Sequence, residues 1–248
     1  MMSITMKTKA FTAICLTFLL SFSCAFSQQV TAAEKKAREG LPGRRIGGGT
    51  RGECAVKRPE QLIALVPENN LVLTQQAYPS MLFHIPQTSK PMTMELVLQD
   101  DNYNLVYEKT LTKNGSEIKT DSGEIINLNL LDSASLRPLV TGKTYRWYLS
   151  IICNPNNRAR DIVVDGWIKR VAVEPDFAKK IEQASLAERV NLYAKAGLWQ
   201  DAITTLVELR YAQPGDSSLA ASWTQLLKSE KLDTLAQESL LTMKILKD

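Results

Sequence analysis

The residues with the most chemical potential crowd into one stretch, GRRIGGGTRGEC, from Gly43 to Cys54. It holds five glycines, three arginines and a cysteine. Gly47, Gly49 and Gly52 spell G-x-G-x-x-G, the spacing that lets backbone amides approach a pyrophosphate. That chemistry needs a strand before the loop and a helix opening on its last glycine. Here Arg44-Arg45 precede, Glu53-Cys54 follow and no βαβ pattern comes after, so dinucleotide binding is rejected. Two readings are left. Arg44, Arg45 and Arg51 are candidate anion-binding residues, reaching phosphate or carboxylate groups beside a Gly-rich nest. Alternatively the stretch is a solvated tether whose glycines let it bend so that Cys54 finds a partner.

Of the four cysteines, Cys15 and Cys24 sit in the leader described below, and only Cys54 and Cys153 outlast its removal. Two thiols in an exported chain predict one disulfide, Cys54–Cys153; two free buried thiols are the alternative. The single histidine, His84, lies in the apolar run SMLFHIP and reads as a strand residue, with no thiolate to activate if the cysteines are paired. Two cysteines and one histidine make no conventional zinc set, so neither metal nor cofactor is expected. No G-x-S-x-G or H-E-x-x-H occurs, and no catalytic residue is assigned. Asp100-Asp101 reads as a hairpin turn. Asp161 and Asp165 share one face of a strand, and a hydrolase using paired carboxylates would rest on pairs such as these.

The elements around these residues follow from composition and period. Lys7 and Lys9 precede the apolar run Ala10 to Phe22, and small residues follow at Ser23, Ala25, Ser27, Ala32 and Ala33. Residues 1–33 are therefore expected to be a signal peptide, and the protein exported to a periplasmic or extracellular location. An uncleaved anchor, or lipidation at Cys24, is the alternative. The 248-residue chain carries net charge +4. Residues 34–60 hold eight basic and four acidic groups, a basic arm suited to anionic surfaces; residues 61–248 hold 20 and 22. That balance does not point to nucleic acid.

Residues 61–173 alternate with period two. Strands are expected at 61–66, 80–85, 93–99, 104–111, 123–131, 144–153 and 161–173. Leu139, Gly142 and Tyr145, followed by Trp147, resemble the tyrosine corner of immunoglobulin-like and fibronectin type III domains. The expectation is an antiparallel β-sandwich of that kind over 61–173, followed by an α-helical region over 174–248. Ser185-x-x-Glu188 is a capping box. Apolar stripes run through Leu186, Val190 and Tyr193, then Trp199 to Leu209, then Leu219 to Leu227, and a fourth starts at Leu232, Leu235, Ala236 and Leu240.

Tyr193, Gly197, Ala202, Leu206 and Pro214 resemble a tetratricopeptide repeat, with a partial second copy from Leu226 to Met243. Such units bury their apolar faces on neighbours, and about three are normally needed. One and a half must borrow a surface, either the sandwich or a second protomer in a homodimer. Tyr193, Trp199 and Trp223 are the candidate partner-binding residues of this annex.

The blocks GRRIGGGTRG, LIALVPENNL, YPSMLFHIPQ, GKTYRWYLSIICNPNNRARDIVVDGWIKRV and AGLWQDAITTLVELR resemble a family of secreted cyanobacterial proteins classified only as a domain of unknown function. The resemblance implies export and brings no activity with it. The expected function is that of an exported, non-enzymatic binding or adaptor protein of the cell envelope. Protein or glycan partners would meet it at sandwich loops and the helical annex. The alternatives are an envelope-polymer hydrolase and a self-assembling unit completed by dimerisation.

Overall fold

A computed structural model describes residues 41–47, 54, 56, 61–111, 117–130 and 137–243. The expected signal peptide, and Arg51 with most of the arm, lie outside the described residues. In chain order the strands are β1 (Ile63–Leu65), β2 (Leu71–Thr74), β3 (Ser80–Ile85), β4 (Thr93–Gln99), β5 (Leu105–Leu111), β6 (Glu124–Asn129), β7 (Thr144–Ile152) and β8 (Ile162–Arg170). Helices α1 (Pro175–Gln183), α2 (Leu186–Lys195), α3 (Trp199–Ala212) and α4 (Ser217–Ser229) follow, and then strand β9 (Ser239–Met243).

Side-chain alternation separates two sheets. β4 and β8 bury every second residue and leave the others half-exposed, as strands with one face inward do. They belong to a five-stranded sheet of order β2-β8-β7-β4-β5. β3 and β6 are buried almost throughout, because both faces of their sheet are covered. That four-stranded sheet has the order β1-β3-β6-β9. Side chains of both sheets share one apolar core around Trp147, which meets Phe83 edge-on at 5.7 Å between ring centres. On the far face of the four-stranded sheet, Leu65, Leu82 and Ile125 pack with Ile203, Leu206, Trp223 and Leu227 of α3 and α4. The architecture is thus mixed α and β: two facing sheets, with helices behind the second.

Local signals are met where they are strong. Ser185 accepts from the Glu188 amide while Glu188 accepts from Ser185, completing the capping box. The Val140 amide donates to the Tyr145 phenol at 3.0 Å, the back-bond anticipated from L-x-x-G-x-x-Y.

Three expectations are corrected. The sheets are not purely antiparallel: β2 runs parallel to β8 and β9 parallel to β6. β2 is absent from the expected strands because its four residues abut the turn PENN and its partner residues lie 96 positions away. The last stripe, Leu232 to Leu240, is not a helix. α4 gives way to Lys231 at φ +58, Asp233–Leu235 make one 3-10 turn, and Ser239–Met243 extend along β6. Leu232 and Leu235 keep the buried positions that mimicked helical spacing. The open edge of β6 offers unpaired backbone groups, and satisfying them outweighs a weak helical period.

Within the arm, Arg44 pairs with Asp165 of β8 and Ile46 with Ile63 of β1, so residues 44–46 stitch one sheet to the other. Gly43 permits this approach, because a Cβ there would fall 1.9 Å from the side-chain Nδ2 of Asn70 and 2.8 Å from the Asp165 carbonyl oxygen. Further on, Cys54 and Cys153 form a disulfide across 99 positions of sequence.

Asp201, in the first turn of α3, accepts from the Thr74 hydroxyl and from the Gln75 amide and is 2% exposed. Burial pushes its carboxyl up from 3.8 to about 6, against those two hydrogen bonds. The folded state therefore holds this proton more tightly than the unfolded chain. The associated stabilisation is full below pH 3.8 and disappears as pH rises through about 6, with a span of about 3 kcal/mol. Burial shifts Glu208 and Glu230 in the same direction. Denaturant titrations are expected to show stability falling between pH 4.5 and 7, with the slope reduced in Asp201→Asn.

Candidate functional site

The helices cover the four-stranded sheet, whereas β7 and β8 of the other sheet turn alternate residues outward. Tyr145 and Trp147 point into the core, which by alternation turns Arg146 and Tyr148 outward. Register then builds a row across the sheet: Leu105, Gln99, Arg146, Trp167 and Leu71. The next row holds Glu108, Val97, Tyr148 and Asp165, and ends on Arg44 of the arm.

Arg146 is the centre of this face. Its guanidinium lies 5.0 Å from the Tyr148 ring centre and 5.4 Å from that of Trp167. It also donates to Asp165 Oδ2 at 2.7 Å, and that hydrogen bond raises the arginine further above its ordinary pKa. Desolvation raises the Tyr148 phenol, an effect the guanidinium opposes. The Trp167 indole donates to the Pro42 carbonyl at 2.7 Å, which ties the arm to the rim. A cation stacked over two rings and bonded to a carboxylate restricts the rotamers of all four side chains.

Tyr103 completes the cluster. It is close enough to perturb both Arg146 and Tyr148 electrostatically, and it is 66% exposed. Its φ of +64 is costly for a bulky side chain, of order 1–3 kcal/mol. The turn before it imposes that conformation: Asp100 Oδ1 accepts from the amides of Asn102 and Asn104, and the Asp100 carbonyl accepts from the Tyr103 amide. At the far end of the face Arg158 pairs with Glu95 at 2.8 Å and with Asp161, whose other oxygen accepts from the Cys153 amide. Rigid rings, outward phenols and internally paired charges suit contact with a surface or polymer.

The residues singled out by sequence go elsewhere. Arg45 is half-buried and donates to the carbonyls of Val66 and Glu230, beside the Glu68 and Glu230 carboxylates. Its charge binds the arm to the end of α4. Arg45→Ala should lower unfolding stability by about 2–3 kcal/mol and leave phosphate binding unchanged, measured by denaturant unfolding and calorimetry. Arg44 contributes its backbone to Asp165. Tyr193, Trp199 and Trp223 are 4%, 6% and 1% exposed. Burial makes them core residues instead of a partner surface: Tyr193 accepts from Gln75, and Trp199 donates to the Leu226 carbonyl.

The acids are committed as well, Asp165 to Arg146, Asp161 to Arg158, and Asp100 to its own turn. His84 is buried, with Nδ1 2.9 Å from the Gln61 carbonyl. Among the described residues no three His, Cys, Asp or Glu side chains gather as a metal set. Between α1 and α2 lies an open groove of about 400 Å³, lined by Lys180, Gln183, Ala184, Glu188, Asn191, Leu192 and Lys195.

The aromatic face lies on the strand phase opposite the core, which apolar periodicity does not report. The signal was present in TYRWYLS and VVDGWIKR, where aromatic and charged residues occupy the opposite phase.

Two facing mixed sheets with helices behind one of them define an α+β protein. The chain belongs to the family described as Domain of Unknown Function (DUF928), whose profile matches residues 46–240. Among curated proteins none matches the chain.

Proposed function

We propose that the protein is an exported, non-enzymatic binding module of the cell envelope, whose protein or glycan partner docks on the outer face of the five-stranded sheet. The observation carrying this reading is the ordered cluster of Tyr103, Arg146, Tyr148 and Trp167. Trp, Tyr and Arg are the residues that concentrate binding energy, and here they are held in place before any ligand arrives. The disulfide suits an oxidising compartment. Among the described residues no helix is long and apolar enough to cross a membrane.

The two-sheet body is read as an immunoglobulin-like sandwich, a reading supported by the Tyr145 back-bond. The α2–α3 hairpin, with Gly197 at φ +74 between its helices, is read as tetratricopeptide-like. Its apolar face lies on the chain's own sheet, which removes the motive for dimerisation. The hydrolase alternative is weakened by the arginines facing both Asp161 and Asp165.

The test is affinity capture from envelope extract on immobilised mature protein, in parallel with Tyr148→Ala. Partners retained by the parent and lost from the variant are the expected result. An identical set on both would refute docking at this face.

A further inference from the structure

Resting on that binding role, we infer that the face centred on Arg146 takes an uncharged polysaccharide, with pyranose rings laid across its aromatic side chains. Charge is the first argument. Arg146 is paired with Asp165, and Arg158 with both Glu95 and Asp161. The acids of these pairs are well covered, with side chains 13%, 15% and 4% exposed. An anionic polymer would have to take a cation from its partner and leave a covered carboxylate unpaired, which is strongly unfavourable. With Arg146 and Arg158 committed to three carboxylates, these pairs hold no attraction for an anionic ligand, which favours one that carries no charge.

Area is the second argument. A stable protein interface covers about 800 Å² on each partner, around an apolar centre. Only two large apolar side chains of this face are exposed among the described residues, Tyr103 and Leu105. The others, Ile46, Val140, Leu186 and Tyr211, are scattered over other elements. This is too little apolar surface for a protein and a suitable amount for sugar rings.

Ring chemistry supplies the attraction. The axial C–H groups of a pyranose carry slight positive charge and pack on the negative face of an aromatic ring, as the positive edge of another ring does. The hydroxyl rim needs neutral donors and acceptors. The Tyr103 and Tyr148 phenols and the Gln99 amide stand in or beside these rows. Tyr103 keeps a left-handed backbone and is 66% exposed as a residue, where folding alone has little use for it.

The experiment is affinity electrophoresis of the mature, disulfide-intact protein through gels containing uncharged polysaccharides: a β-glucan, an α-glucan and a galactomannan. Alginate and polygalacturonate gels run in parallel. Tyr103→Gly and Tyr148→Ala are compared with the parent, each with a thermal melt. At least one uncharged polymer should retard the parent, with little change when salt is raised tenfold. Each variant should bind about tenfold more weakly. Tyr103→Gly should melt no lower than the parent, because glycine relieves the positive φ, so its loss of binding cannot be attributed to unfolding.

Retardation by the acidic polymers alone, lost in both variants, would overturn the ligand class and leave docking at this face standing. Retardation by uncharged polymers that neither variant weakens would overturn the face itself. No retardation in any gel would overturn the polysaccharide inference, and the extract capture would then decide the binding role separately.

Discussion

A chain ended at Glu174 is expected to lose cooperative folding altogether. Leu65, Leu82 and Ile125 are 0% exposed only because α3 and α4 lie on them. Uncovering three aliphatic side chains costs about 1.5–3 kcal/mol each, roughly 5–9 kcal/mol together. A domain of this kind has only about 5–15 kcal/mol in total. The same cut removes β9 from the edge of β6 and takes the Glu230 carbonyl from Arg45. Near-UV circular dichroism and urea titration of residues 34–174 would decide the matter. A sharp transition at the parent's midpoint would show that the sheets stand without their helices.

The second large effect belongs to the disulfide. Joining Cys54 to Cys153 closes a loop of 99 positions. In the chain-entropy account this stabilises the fold by about 4–5 kcal/mol relative to the open chain. Replacing both cysteines by serine should therefore lower the urea midpoint by about 2 M at an ordinary slope. Dithiothreitol should do the same to the parent. The consequence reaches the binding face. Cys153 donates its amide to Asp161, Asp161 holds Arg158, and Arg158 holds Glu95. Loosening the bridge should weaken ligand retention beyond the loss of folded protein, which binding measured in dilute urea against fraction folded would show. An unchanged midpoint would mean that the arm is held by its backbone pairs and Arg45 alone.

Much of the strand content was legible because long strands advertise themselves. TMELVLQ and TYRWYLSII alternate over seven and nine residues, and the structure buries alternate side chains in both. The capping box and the Gly197 break were legible because the residues that set them lie within four positions of each other. The short strand LVLT was not, since its identity comes from backbone bonds to β8. The stripe at Leu232 to Leu240 misled because burial against helices and pairing along β6 produced spacing that a single helix would also show. Trp199 and Trp223 read as binding residues because sequence reports that an aromatic is present and not which way it faces.

By itself the sequence determined what depends on neighbours along the chain: where alternation begins, where helices are capped, and which two cysteines could meet. Tertiary structure decided everything that depends on facing: that β9 returns to the sheet, that Arg45 bonds to the end of α4, and that Arg146, Tyr148 and Trp167 share one outer surface. The physical reason is that a side chain's direction follows from local backbone geometry, while its neighbour comes from whichever distant segment satisfies the remaining apolar area and unpaired amides.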